Sequence, residues 1–256
     1  MAGAIIRSII ASGRVAADHV AVYDVIHDKA NGFADLGVHV SDSVEDACKA
    51  GDVWLLAVKP QDYESLLLSL KPFAAEKKVT VISIAAAIST SFVCSVLDKQ
   101  LPVVRVMPNT PLLLGCGATA ISRNALVDDR LYTKICGLFA ASGSVVSLEE
   151  DKMNAVISVN SSSPAYVYLL AKAMIDGAVA QGFTPEIASP LVFQTIKGAA
   201  EMLINGGKTP DELIKVVASP GGTTLAALKA LDDGHFCETV ADGMNACTAR
   251  AKELAR

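Results

Sequence analysis

Apolar residues recur along this chain in two distinct rhythms. The first fifteen residues, "MAGAIIRSIIASGRV", place Ala2, Ile5, Ile6, Ile9 and Ile10 at helical spacing, which predicts an amphipathic helix with no strand ahead of it. Short β-rich runs follow: "HVAVYD" (19–24), "GVHV" (37–40), "DVWLLAV" (52–58), "KVTVISI" (78–84), "PVVRV" (102–106), "GATAI" (117–121) and "SVVSL" (144–148). Between the early runs lie "SVEDACKAG", "DYESLLLSLKPF" and "STSFVCSVLDKQ", each helical in period and opened by a capping-type residue. Alternation of this kind predicts a doubly wound parallel sheet.

From about Glu149 the rhythm changes to long helical periods, through "SPAYVYLLAKAMIDGAVAQG", "TPEIASPLVFQTIKGAAEMLING" and "GTTLAALKAL". Thr184-Pro185 and Thr209-Pro210 read as N-cap plus first-turn proline, and Gly182, Gly206 and Gly207 as helix stops. The expected division is an α/β domain over 1–149 and an all-helical domain over 150–256.

Composition narrows the function classes. The 256 residues are 52% hydrophobic but only 5% aromatic, and no apolar run approaches the roughly 18 residues a membrane span needs. Without signal-peptide zones at its start, the chain is expected to be cytoplasmic and not bound to membrane. A formal charge of -5 with no dense basic cluster argues against nucleic acid as a partner. The six scattered cysteines and four isolated histidines stand in no metal or nucleophile pattern, so no metal site is expected.

In a dinucleotide-binding fold the first unit runs strand, glycine turn, helix, and the second strand ends in an acidic residue about 20 residues beyond the glycines. Here the helix comes first, and "HVAVYD" ends in Asp24. The first strand and the glycine turn have no counterpart, although that strand would sit in the middle of the sheet. The alternative reading makes residues 1–14 an ordinary leading helix. Asp24 accepts from a ribose 2′-OH, which favours NADH, or merely starts a turn; His27 and Lys29 nearby offset repulsion of a 2′-phosphate. NADPH and NADH both stay open as cofactors.

Four further stretches carry a resemblance: "AVKPQ" (57–61) with "SIAAAIS" (83–89), "VVRVMPNTPLLLGCGATAI" (103–121), "NSSSPAYVYLLAKAMIDGAV" (160–179) and "ASPGGTT" (218–224). In order and separation the chain resembles the pyrroline-5-carboxylate reductases over essentially its whole length. The resemblance implies reduction of L-1-pyrroline-5-carboxylate to L-proline with NADPH or NADH, and a homodimer, or a higher oligomer, joined through the helical domain. Cofactor contacts are implied at Met1, Ala2, Asp24, Ala57, Val58, Lys59, Pro60, Ile84, Ala85, Ala86 and Asn109. Glu150 is implied to face the substrate. Thr223 and Thr224, with Ser219, Gly221 and Gly222 around them, are implied to hold the substrate carboxylate and ring. The chain departs from the family where it writes Asn160-Ser161-Ser162-Ser163 in place of a serine and glycine alternation, which restrains any turn needing positive φ.

Read on its own chemistry, "SPGGTT" is either a plain helix cap supplied by Thr223 or Thr224, or a carboxylate cradle made of free N–H groups and two hydroxyls. Hydride reduction of a cyclic imine needs positioning more than acid–base machinery, which suits a chain without a histidine constellation. Glu150 and Thr224 are the candidate catalytic residues, balancing the iminium charge and bonding the ring nitrogen. Glu149 and Glu150 also read as ordinary first-turn acids, and Lys59 as an exposed strand-end lysine. Two other functions compete. One is a dehydrogenase of the 6-phosphogluconate or β-hydroxyacid type, with Lys172 as its lysine; the other is a catalytically silent scaffold that binds no NAD(P)H.

Overall fold

The computed structural model describes residues 1–256 and divides into two compact units, Met1–Ser162 with Cys247–Arg256, and Ser163–Ala246. In the first unit the order is α1 (Ala2–Ala11), β1 (Ala21–Val22), α2 (His27–Asn31), β2 (His39–Val40), α3 (Val44–Ala50), β3 (Val53–Leu56) and α4 (Tyr63–Glu76). There follow β4 (Thr80–Ser83), α5 (Thr90–Leu97), β5 (Val103–Met107), β6 (Gly117–Arg123), α6 (Asp129–Ala140) and β7 (Gly143–Ser147).

The strands alternate their apolar residues between two cores. Trp54, Leu56, Val81 and Val103 pack with Tyr63 and Leu67 of α4 and Val93 of α5. Ile82, Val104, Val106 and Ile121 pack on the opposite face with Ile5 of α1 and Ile135 and Phe139 of α6. Burial on both faces is what near-continuous apolar strands in a doubly wound sheet require. Both helical layers expected from the sequence are therefore present.

Two departures from a single parallel sheet matter. The ladder is in two pieces, β1-β2 and β3-β4-β5-β6-β7, so neither β1 nor β3 has a strand neighbour on its remaining edge. The interruption falls between the strand ending near Asp24 and β3, where a dinucleotide-binding fold has its central strand. The second departure is β6, which runs antiparallel to β5 while β3, β4 and β5 run parallel and β7 is parallel to β6. Met107 and Gly117 are too close in sequence for a crossover of about a dozen residues, so the chain can only turn back.

Beyond β7 the first unit continues through a 3₁₀ turn, Glu150–Lys152, and a π-helical turn, Ile157–Ser161. Met153 and Ile157 bury with Met107 and Ala120, and Ala251 joins them. None of Asn160 to Ser163 has positive φ, and Ser162 sits at φ -90° and ψ -26°. The serines that replace glycines here are therefore unstrained.

The second unit holds α7 (Ser163–Ala180), α8 (Pro185–Asn205), α9 (Pro210–Val217), α10 (Thr223–Asp233) and the first part of α11 (Phe236–Glu253). Thr209 opens α9 with a complete capping box to Glu212, as the Thr-Pro signal predicts. The boundary expected at 149/150 is displaced to 162/163 because residues 150–162 bury their apolar side chains in the first unit, and Cys247–Arg256 return to it. No helix is long and apolar enough to cross a membrane.

Candidate active site

The carboxyl ends of parallel strands open a crevice in doubly wound sheets, and ligands bind there. Three such ends in the larger sheet, those of β3, β4 and β5, carry sequence-predicted site residues. Ala57–Pro60 follows β3, with Ala57, Val58 and Lys59 exposed and Pro60 opening a 3₁₀ turn. Ile84–Ser89 follows β4, with Ala85 buried, Ile84 and Ala86 half-buried, and Ala87 at φ 64°. Pro108 and Asn109 follow β5. The amino end of α1 has no side-chain cap, so its first N–H groups, from Ala2 and Gly3, lack partners within the helix. The exposed residues Ala57–Lys59 after β3 and the uncapped start of α1 offer free N–H groups of the kind a dinucleotide pyrophosphate takes, so they fit such a cofactor.

Asp24 is half-buried and its Oδ1 accepts from the Ile26 N–H at 2.9 Å. The turn-starting role is thus present in the structure. Asn109 is 7% exposed, and its amide is spent inside the unit: Oδ1 accepts from Ala118 N at 2.9 Å and Nδ2 donates to Asn160 O at 3.1 Å. One N–H and one lone pair of the Asn109 amide are thus used within the first unit. Asn160, also 7% exposed, donates from Nδ2 to Met107 O at 2.7 Å and to Ala118 O at 2.8 Å. Two interlocked amides therefore fasten the end of β5, the start of β6 and the π-helical turn together.

Glu150 is tied to the start of α5. Its Oε1 accepts from Thr90 N at 2.6 Å and its Oε2 accepts from Thr90 Oγ1 at 2.5 Å. Ser89 caps the same helix by accepting from Phe92 N, so Glu150 adds a carboxylate to the first free N–H of α5, where the helix dipole favours it. Behind it lies Arg105, 2% exposed, which donates to Asn154 Oδ1 at 2.6 Å and approaches Glu150 at 3.9 Å. Its Nε has no partner. Burial pushes the guanidinium below its ordinary pKa, and the Glu150 charge opposes that shift. Sequence reading passed over Arg105, Asn160 and Thr90, although a charged residue inside the apolar run "PVVRV" was a signal for a buried ion partner.

In the second unit, Gly221 at φ 71° makes the turn that no larger residue takes without strain, and Gly222 N donates to Ser219 O at 2.9 Å. Gly222 is the N-cap of α10, with no side-chain cap bond. Thr223 and Thr224 are thus the first two helical residues, and neither is the cap. Thr223 is exposed and Thr224 half-buried, so this helix start presents free N–H groups beside two hydroxyls. Lys172 forms a solvent-exposed i,i+4 pair with Asp176 at 2.5 Å on α7. Tyr168, Leu169 and Leu191 are 62%, 67% and 61% exposed, an apolar surface far larger than single exposed residues make.

Comparison with known proteins follows these two groupings. Residues 150–254 match a family model described as pyrroline-5-carboxylate reductase dimerisation, and residues 1–87 match one described as NADP oxidoreductase, coenzyme F420-dependent. The chain is 31% identical to the pyrroline-5-carboxylate reductase of Escherichia coli (strain K12), over 100% of this chain and 95% of that protein. It is 36% identical to that of Pseudomonas aeruginosa, over 100% and 93%. A solved pyrroline-5-carboxylate reductase from Coxiella burnetii superposes with a TM-score of 0.92 at 33% identity, covering 100% of this chain and 95% of that one. The Plasmodium falciparum enzyme, solved with NADP bound, superposes at 0.88 with 26% identity, covering 99% and 94%. The chain belongs to the pyrroline-5-carboxylate reductase family.

Proposed function

We propose that this chain reduces L-1-pyrroline-5-carboxylate to L-proline with NADPH, or with NADH as a second donor, in proline biosynthesis. The uncapped start of α10 carries the reading. A helix amino end with free N–H groups and the hydroxyls of Thr223 and Thr224 suits a small carboxylate, and the Gly221-Gly222 turn lets the backbone approach it. In this reading Thr224 bonds the ring nitrogen.

The nicotinamide cofactor supplies the hydride. Ala57–Pro60 and Ile84–Ala86 line it from the ends of β3 and β4, and Met1 and Ala2 at the start of α1 offer donors to its pyrophosphate. Asn109 acts by fixing the strand-end turn, and Asp24 sets how well a 2′-phosphate is tolerated. Because a protonated cyclic imine is already electrophilic, positioning by these groups does most of the catalytic work. The active form is a homodimer: the apolar residues left open on α7 and α8 need a cover, and a second copy supplies it. The cysteines, scattered without pairs, accord with a cytoplasmic location.

The test is oxidation of NADPH and NADH with and without L-1-pyrroline-5-carboxylate, for the native chain and Thr224→Ala. Turnover should depend on the substrate, and Thr224→Ala should lower kcat/KM by about tenfold, the effect of one lost hydrogen bond. Saturable NADPH binding without substrate-dependent turnover would refute the assigned substrate. Absence of saturable binding of either nucleotide would refute the cofactor assignment.

A further inference from the structure

Arg256 lies far along the chain from Ile84–Thr90, yet it makes one step of a ladder with that segment. Its N–H donates to Ala87 O at 2.9 Å, and its carbonyl accepts from Ser89 N at 2.9 Å. Bonds placed on either side of one residue, here Ile88, are the pattern of a parallel bridge. Ile88 is 1% exposed, so the bridge is anchored over core. The guanidinium contributes only an exposed pair with Glu64 at 3.2 Å. The contact is therefore a property of the backbone.

The segment it grips is unusual. Ala87 holds φ 64°, a conformation that alanine keeps only where its surroundings over-determine it. Three holds act on these residues: Ile84 N on Leu56 O, the paired bonds of Arg256, and the two bonds of Glu150 to Thr90. Glu150 and Arg256 both hold the segment at its far end, after Ala86. That arrangement fixes the backbone of Ile84–Ala86 from both sides while the half-buried Ile84 and Ala86 keep part of their surface open.

We propose that Arg256 is a positioning residue: through its backbone it holds Ala87–Ser89 and thereby keeps Ile84–Ala86 in the shape that binds the cofactor. This inference rests on the assignment of Ile84–Ala86 to the nicotinamide side of the site. The segment binds in proportion to the fraction of molecules in which it is correctly formed. Loosening the latch lowers that fraction and raises the apparent Kd for NADPH without touching the substrate cradle on α10.

The experiment compares the native chain, Arg256→Ala, Arg256→Pro and a chain lacking residues 254–256, by amide hydrogen exchange and NADPH titration. Leu254 is half exposed and Ala251 is retained, so the shortened chain keeps its core contacts. Arg256→Ala should match the native chain, since both backbone bonds survive. Arg256→Pro loses the donor, and the shortened chain loses both bonds; each should exchange Ser89 faster by about tenfold and bind NADPH correspondingly more weakly, with KM for the substrate unchanged. Native-like Ser89 exchange in the shortened chain would overturn the latch. Faster exchange with unchanged NADPH affinity would overturn its link to the cofactor. A separate arm adds NADPH to the native chain: if residues 84–90 gain no protection, the cofactor does not lie there, and that assignment fails independently of the latch.

Discussion

Asn160→Asp changes one nitrogen to oxygen and nothing in shape, yet it should be among the more damaging substitutions in the first unit. The Asn160 Nδ2 faces two carbonyl oxygens, of Met107 at 2.7 Å and Ala118 at 2.8 Å, at a site 7% exposed. Two carbonyls only accept, which makes this end of the amide the NH2, and Oδ1 accepts from the Ser161 hydroxyl at 3.1 Å. An ionised aspartate removes both donors and sets a negative charge against two carbonyl dipoles. Leaving a buried charge uncompensated costs about 3–5 kcal/mol. A protonated aspartate recovers one donor, so its cost falls to about 1 kcal/mol, one ordinary hydrogen bond.

The folded state must therefore bind a proton more tightly than the unfolded chain, raising the pKa of the introduced carboxyl above the ordinary aspartate value of about 3.9. A raised folded-state pKa means the variant is nearest to the native chain in acid, below the unfolded value. It loses stability as pH rises toward neutrality. Denaturant unfolding followed by the fluorescence of Trp54 reports this, since it is the one tryptophan and is buried in the same unit. The comparison is the stability difference between Asn160→Asp and the native chain at acid and at neutral pH. A difference below about 0.5 kcal/mol at neutral pH, the range of ordinary surface changes, would refute the buried amide bridge. So would a penalty that did not change with pH.

Gly143→Ala should cost about 2–6 kcal/mol, the sum of a glycine-only φ of +139° and a Cβ placed 2.1 Å from Gly117 O. Gly13→Ala, with φ +66° and nothing within 4 Å, should cost only about 1 kcal/mol, and equal penalties in the same melts would refute the clash. Burial pushes the Cys48 thiol up to about 11, so in mildly alkaline buffer iodoacetamide should label exposed Cys116 in the native chain and spare Cys48 until unfolding. Comparable labelling of both thiols, read by peptide mass, would contradict that.

Periodicity reports which side chains share a face, and wherever burial follows from that alone the sequence is readable. The runs at 52–58, 78–84 and 102–106 become β3, β4 and β5, and the Thr209-Pro210 start of α9 carries its capping box. Direction and spacing between strands are less legible, because they depend on connections. The turn from Pro108 to Cys116 forces β6 antiparallel, and no apolar pattern within "GATAI" encodes that. Site residues divide the same way. Gly221 and Gly222 were visible because a tight turn restricts residue type, whereas the bonds of Glu150 and Asn109 to Thr90, Ala118 and Asn160 were not. A carboxylate or an amide has the same chemistry toward a ligand and toward a backbone N–H. Only partners distant in sequence decide between them, sixty residues away for Glu150 and fifty-one for Asn109. Residues with versatile polar groups are therefore where one-dimensional reading is weakest. Those same groups set the shape of the strand ends after β4 and β5, so the structural partners of Glu150, Asn109 and Ala87 are where changes in that shape should be sought.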